Sequence, residues 1–244
     1  MHRVFILPGA IHGDHITVDD PRDVHHLLRV LRVNVQEPLE CFDGTGTVYR
    51  GRISRCALSS VTMAVERRSH QPPPQPRLRL AQALIQPQRF EWLLQKVTEL
   101  GVGQVIPLVT ERTVVRRAQD CSRQRLLRWR RIASDAALQC GRALLPVVEA
   151  PTQFADFVKT LAASPAIMPT LVEPSAPLDT HLKQLTGHGQ IVVLIGPEGD
   201  FTPEEVALAR RHGVRTATLG HATLRSETAA LVTVTILQHA FGVL

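Results

Sequence analysis

The run Ile191-Val192-Val193-Leu194-Ile195 is apolar at every position, so both faces of the strand it predicts must be covered. That is the condition of a strand inside a parallel sheet. The loop Ile195-Gly196-Pro197-Glu198-Gly199-Asp200-Phe201 follows, and Thr202-Pro203-Glu204-Glu205 then supplies an N-cap hydroxyl, a proline at the first helical position and a capping-box glutamate. The helix this opens runs to His212 and ends at Gly213. The pattern recurs in Thr216-Ala217-Thr218-Leu219, a glycine-containing loop, and a final helix from Glu227 to Phe241. Two loops thereby fall beyond the carboxyl ends of parallel strands, where open α/β sheets bind ligands.

Upstream, strand and helix also alternate. Leu78 to Leu84 and Val105 to Leu108 read as strands around a helix near Gln88 to Leu100, which Gly101 is placed to end. Arg123 to Cys140 is a long helical stretch ahead of Gly141, and Thr170-Leu171-Val172 a weak strand. The final helix is apolar nearly all round, which predicts burial in a core or a dimer interface. Before Pro72 the signals are those of short strands: Val4 to Leu7, Pro38 to Phe42, Val48 to Ile53 and Val61 to Val65, with one helix near Asp20 to Leu31 capped by Asp20 and begun by Pro21. The tract Ser69-His70-Gln71-Pro72-Pro73-Pro74-Gln75-Pro76 favours an extended conformation. The expected organisation is a small β-barrel over 1–71, a linker at 72–76 and an α/β domain with a parallel sheet over 77–244.

The net charge of +6 is uneven. From Arg77 to Arg131 there are twelve Lys and Arg against four Asp and Glu, and eleven of the twelve are Arg. Arginine suits bidentate phosphate contacts and base stacking, so this stretch is either a nucleic-acid surface or a solvated helix face. No run reaches the roughly 18 apolar residues of a membrane span, and Met1 to Gly13 lacks the apolar core of a secretory signal, which predicts a cytoplasmic protein. Cys41, Cys56, Cys121 and Cys140 lack metal-ligand spacing and read as reduced packing residues, with Cys140 beside Arg142 the one alternative as a reactive thiol. A Gly-x-x-x-x-Gly-Lys-Ser/Thr loop, a complete dinucleotide fingerprint, a Gly-x-Ser-x-Gly elbow and a His-Glu-x-x-His pair are all missing. What remains is a site of main-chain groups and small residues. It suits a flat, mostly neutral ligand such as adenine, although Gly196 to Gly199 is also compatible with a plain strand-to-helix turn.

The motifs taken together resemble one family. They are Arg3-Val4-Phe5, His25-His26-Leu27-Leu28-Arg29-Val30-Leu31-Arg32, Phe42-Asp43-Gly44, Lys96-Val97-Thr98-Glu99-Leu100-Gly101-Val102, Pro107, Glu111-Arg112, Gln139-Cys140-Gly141-Arg142, Pro146, Ile195-Gly196-Pro197-Glu198-Gly199 and Leu224-Arg225-Ser226-Glu227-Thr228-Ala229. In that order they resemble the RsmE family, uracil-N3 methyltransferases of 16S ribosomal RNA within the SPOUT superfamily. The resemblance implies a PUA-like RNA-binding barrel, a C-terminal α/β domain with a deep trefoil knot, S-adenosylmethionine as methyl donor, the small ribosomal subunit as partner and a homodimer, with no metal and no membrane. It places the donor against Leu171, Val172, Glu173, Ile195, Gly196, Pro197, Glu198, Gly199, Leu219, Gly220 and Leu224.

Arg225 is the candidate to stabilise negative charge on the uracil carbonyls, and Glu227 either accepts the N3 proton or caps the final helix. Arg29, Arg32, Arg112, Arg116, Arg117 and Arg142 are the candidate phosphate contacts. Three departures stand out: Asp200 where the family usually has a third glycine, Ala222-Thr223 where Arg-Ile is usual, and Leu138 in place of an acidic residue. The rival readings are a SPOUT methyltransferase acting on a ribose hydroxyl or on transfer RNA, and an RNA-binding assembly factor without transfer activity.

Overall fold

A computed structural model of the chain describes residues 1–113, 122–161 and 164–244. Its contacts divide it into two units, Met1–Pro73 with Ala137–Leu145, and Pro74–Ala136 with Pro146–Leu244. The first contains strands β1 (His2–Phe5), β2 (Ile11–His12), β3 (His15–Val18), β4 (Pro38–Phe42), β5 (Thr47–Ala57) and β6 (Ser60–His70). They form one sheet in the order β1-β4-β5-β6-β3-β2, antiparallel except for the parallel pair β1 and β4. Helix α1 (Pro21–His25) starts as its sequence dictates: the Asp20 carboxylate accepts from the amides of Arg22 (2.9 Å) and Asp23 (3.3 Å), and Pro21 takes the first turn. Ile16, Leu27, Leu39, Ile53 and Met63 build the core of the unit.

Along β5, Tyr49, Gly51 and Ile53 face inward while Arg50 and Arg52 face solvent. Gly51 sits at a register shift between β5 and β6, and a Cβ there would meet the Ala64 carbonyl oxygen at 1.9 Å. The stretch Ala137–Leu145, expected in the second domain, groups with these strands because the backbone of the Asp43–Gly46 turn needs partners. Gly46 N–H donates to Ala143 (3.1 Å) and Leu145 N–H to Gly44 (2.9 Å).

The second unit contains strands β7 (Arg77–Ala83), β8 (Gln104–Val109), β9 (Val147–Val148), β10 (Thr152–Gln153), β11 (Ala166–Pro169), β12 (Ala176–Pro177), β13 (Gln190–Ile195) and β14 (Arg215–Thr218). Helices α2 (Pro87–Glu99), α4 (Phe154–Lys159), α5 (Leu178–Leu185), α6 (Pro203–Arg211) and α7 (Ser226–Ala240) accompany them, with α3 (Arg123–Cys140) as far as Ala136. Every strand pair is parallel, in the order β10-β8-β7-β13-β11-β14-β12, with β9 also on β8.

The alternation of β13 assigns the layers. Ile191, Val193 and Ile195 join a core with Phe90, Trp129, Ala230 and Val234, whereas Val192 and Leu194 join one with Phe157, Phe201 and Val206 on the other face. Phe90 and Trp129 stack with centroids 4.6 Å apart.

One expectation needs correction. The strand beside β13 is Ala166–Pro169, all four residues buried, and Thr170-Leu171-Val172 belongs to the loop after it. Helix α7 is buried along one side only, through Ser226, Glu227, Ala230, Thr233, Val234, Leu237 and Gln238, while Thr235, Ile236 and His239 are exposed. No helix among the described residues is long and apolar enough to cross a membrane.

Gly51→Ala should destabilise the protein by about 1–3 kcal/mol, because strands β5 and β6 cannot separate locally without losing ladder bonds. Chemical denaturation of the variant beside the parent checks this.

Candidate functional site

Strands β13, β11 and β14 are neighbours, and the loops leaving their carboxyl ends converge. Pro169 ends β11, and Thr170 and Leu171 begin the loop after it. Ile195 ends β13 and Gly196 to Glu198 with Asp200 come from the loop after it, while Thr218 ends β14 and Leu219, Gly220 and Ala222 to Leu224 come from the loop after it. Ser226 and Ala229 of α7 complete the wall. The cleft encloses about 90 Å³. That is less than the roughly 300–1,000 Å³ of ordinary ligand pockets. In the loop after β14, Gly220 to Thr223 and Arg225 are exposed.

The other walls are fastened. Ser226 Oγ donates to the Gly196 carbonyl (2.5 Å) and accepts from Gln82 Nε2 (2.8 Å), joining the start of α7 to the ends of β13 and β7. Asp200, at φ +59°, accepts from Phe201 N–H through Oδ1 (2.8 Å) and from the Thr170 hydroxyl (2.8 Å) and Leu171 N–H (2.7 Å) through Oδ2. The capping box expected at Thr202 and Glu205 is present and starts α6. Gly196 is needed for space, since a Cβ there would lie 3.0 Å from Asp200 Oδ1 and 3.2 Å from Phe201 Cδ2.

Of the residues expected at the donor, Leu171, Ile195, Gly196, Pro197, Glu198, Leu219, Gly220 and Leu224 line the cleft. Val172, Glu173 and Gly199 do not. Val172 packs into the core beside Phe201 and Val206, Glu173 accepts from Ser175 N–H (2.7 Å), and Gly199 lies under Arg112, whose guanidinium donates to its carbonyl.

Glu227 is buried, and its Oε2 has no hydrogen-bond partner. Its Oε1 lies 4.0 Å from Arg89 Nε, and Arg89 Nη1 lies 3.9 Å from Glu198 Oε1. One arginine thus stands between two carboxylates, of which Glu198 lines the cleft, while Glu227, Arg89 and Arg225 are not among its lining residues. Arg89 carries no motif in the sequence. The available signal was its place in the first turn of the helix after β7, the strand that pairs with β13. Arg225 is exposed and forms the N-cap of α7, where no side chain caps the helix. Glu227 is the acidic residue of the first turn of α7.

Among the candidate phosphate contacts, Arg29, Arg32 and Arg112 are exposed, with Arg112 engaged on Gly199. Arg142 is half-buried, and that burial lowers its guanidinium pKa. Arg116, Arg117 and Cys121 lie outside the described residues. Burial, with Glu40 and Asp23 adding to it, pushes the Cys41 thiol up to about 12, which removes it as a nucleophile near neutral pH. Cys140 is exposed, its Sγ 3.7 Å from the Ala137 carbonyl. Among the described residues, no three His, Cys, Asp or Glu side chains are grouped to hold a metal ion.

Residues 71–238 match the family model of the RNA methyltransferase domain, and residues 18–55 that of the RNA methyltransferase PUA domain. A Synechocystis protein named ribosomal RNA small subunit methyltransferase E is 34% identical over 235 residues, spanning 95% of this chain and 75% of its own. The Bacillus subtilis protein of that name is 27% identical over 216 residues, spanning 86% and 84%. The solved ribosomal RNA small subunit methyltransferase E of Neisseria gonorrhoeae, bound to S-adenosyl methionine, superposes with a TM-score of 0.82 at 28% identity, over 97% of this chain and 96% of its own.

Ser226→Ala should cost about 1–3 kcal/mol, since it leaves the Gly196 carbonyl and one Gln82 N–H without the hydroxyl between them. A fall in melting temperature, reversed by Ser226→Thr, is the expected result.

Proposed function

Because the chain belongs to the ribosomal RNA small subunit methyltransferase E family, we propose that it transfers the methyl group of S-adenosylmethionine to N3 of a uridine in 16S ribosomal RNA. The observation that carries the reading is the cleft at the carboxyl ends of β13, β11 and β14, lined by main-chain groups, glycines and the apolar side chains of Leu171, Ile195, Leu219, Leu224 and Ala229. Those groups fit S-adenosylmethionine. The main chain offers bonds to the edge of an adenine whose faces need apolar cover, and Gly196, having no Cβ, avoids crowding Asp200 and Phe201 in the loop that forms this wall.

When bound, the donor supplies an electrophilic methyl on a sulfonium. The chain must then make a uracil nitrogen nucleophilic and aim it. Glu227 Oε2, buried and unpaired, is the acceptor for the N3 proton, and Arg89 offsets the charge of Glu227 and Glu198. Arg225, exposed at the start of α7, stabilises negative charge on the uracil carbonyls or holds the adjoining phosphate. Holding both reactants in line contributes up to about 7–11 kcal/mol in favourable cases.

The base must leave its stack to reach the cleft, at a cost of a few kcal/mol, and contacts to the RNA offset it. Arg29, Arg32 and Arg142 in the first unit, and Arg112, Arg116 and Arg117 in the second, supply the phosphate contacts. The same reading includes a homodimer covering the exposed side of α7, a cytoplasmic location, division of the chain at the 72–76 linker, and the family's trefoil knot.

The protein, incubated with isotope-labelled S-adenosylmethionine and unmodified 16S rRNA or small subunits, should leave its label in 3-methyluridine on digestion and mass spectrometry. Label in a 2′-O-methyl nucleoside, or in transfer RNA alone, would replace this reading with the rival one. Absence of label from every RNA would favour an assembly factor.

A further inference from the structure

We propose that Asp200 is a positioning residue for the methyl-donor cleft, tying the loop after β13 to the loop after β11 so that two of the three walls are already set in the free protein. The inference rests on the donor reading above and concerns how the site is held.

The backbone at Asp200 is left-handed, φ +59°, a region that glycine enters freely and other L residues rarely. The side chain therefore opposes the local conformational preference, and its bonds must compensate. All three are made to the two loops. Oδ1 accepts from Phe201 N–H (2.8 Å), which fixes the carboxylate within its own turn. Oδ2 reaches across to accept from the Thr170 hydroxyl (2.8 Å) and Leu171 N–H (2.7 Å). Thr170 Oγ1 in turn accepts from Val172 N–H (3.2 Å), and Thr170 N–H donates to the Ala217 carbonyl of β14 (3.0 Å). One carboxylate thus orders the first three residues after β11 and connects, through Thr170, to β14.

Leu171 most needs this. Its side chain is 64% exposed yet forms part of the cleft wall, so packing does little to hold it. Charge-assisted bonds from a carboxylate are stronger than those between neutral groups, and here they supply what packing does not. A glycine at position 200 would adopt the same turn and leave Leu171 N–H and the Thr170 hydroxyl without that acceptor. The arrangement also assigns the charge. Both oxygens are taken by protein donors, so the carboxylate acts on the loops and is not held out toward a cation in the cleft.

The test compares wild type, Asp200→Gly and Thr170→Val in two measurements. Asp200→Gly keeps the backbone conformation and should fold. In the ligand-free proteins, the Leu171 amide should exchange with deuterium at least tenfold faster in Asp200→Gly, with a smaller increase in Thr170→Val. Calorimetric titration should show S-adenosylmethionine and S-adenosylhomocysteine weakened by the same factor in Asp200→Gly, about five- to twentyfold, as expected from losing bonds to a charged acceptor.

Equal weakening distinguishes positioning from charge, because only the first ligand carries a sulfonium. Weakening confined to S-adenosylmethionine would overturn the proposal in favour of direct electrostatic attraction. Unchanged Leu171 exchange, or wild-type affinity for both ligands, would overturn it outright. If wild type binds neither ligand, the donor reading fails and takes the cleft role of Asp200 with it, while the ligand-free exchange still decides whether the tie exists.

Discussion

Strand β13 has to be covered on both faces, and the candidate site depends on that requirement. Ile191, Val193 and Ile195 pack toward Phe90, Trp129 and α7, whereas Val192 and Leu194 pack toward Phe157, Phe201 and Val206. Each of these five side chains is worth roughly 1.5–3 kcal/mol when fully buried. A strand covered in this way ends in a fixed place. Its last residue, Ile195, delivers Gly196 to the recess between α7 and the loop after β11, where the Ser226 hydroxyl takes the Gly196 carbonyl. Parallel pairing with β11 brings Pro169 and Thr170 alongside, and β14 follows on the far side of β11.

The three walls of the cleft differ in how they are held. Hydrogen bonds from Ser226 and Asp200 hold the loops after β13 and β11, while the loop after β14 is largely exposed. The difference suits a protein that must close around one reactant and then admit a base drawn out of folded RNA. The departures Ala222 and Thr223 fall on this exposed wall, so they bear on the RNA side more than on the fixed donor wall.

Much of this was legible in the sequence where a local rule decided the outcome. Asp20-Pro21 and Thr202-Pro203-Glu204-Glu205 name their own helix starts, and Gly101, Gly141 and Gly213 adopt the positive φ that ends a helix. An unbroken apolar run identified β13. The ordered motifs supplied the family, and with it eight of the sixteen residues that line the cleft. What was not legible depended on partners distant in sequence. Strands β9, β10 and β12 have two residues each, too few for any period, and exist because a neighbouring strand offers its edge. The Ala-Ile-Met-Pro run of β11 carries a proline and little β-branching, so the strand signal fell on the more polar residues after it. Ala137–Leu145 joins the first unit through backbone groups of a turn nearly a hundred residues away. Arg89 is an ordinary helical arginine until the fold sets Glu198 and Glu227 beside it.

Calorimetric titration of S-adenosylmethionine into the wild-type protein and into Gly196→Trp, with both shown to be folded, tests most directly whether the donor sits at the ends of β13, β11 and β14. The account predicts saturable binding by wild type and none by the variant, because an indole at this cleft-lining position crowds Asp200 and Phe201 and displaces the wall they form. Binding retained by a folded Gly196→Trp protein would place the donor elsewhere and contradict the account.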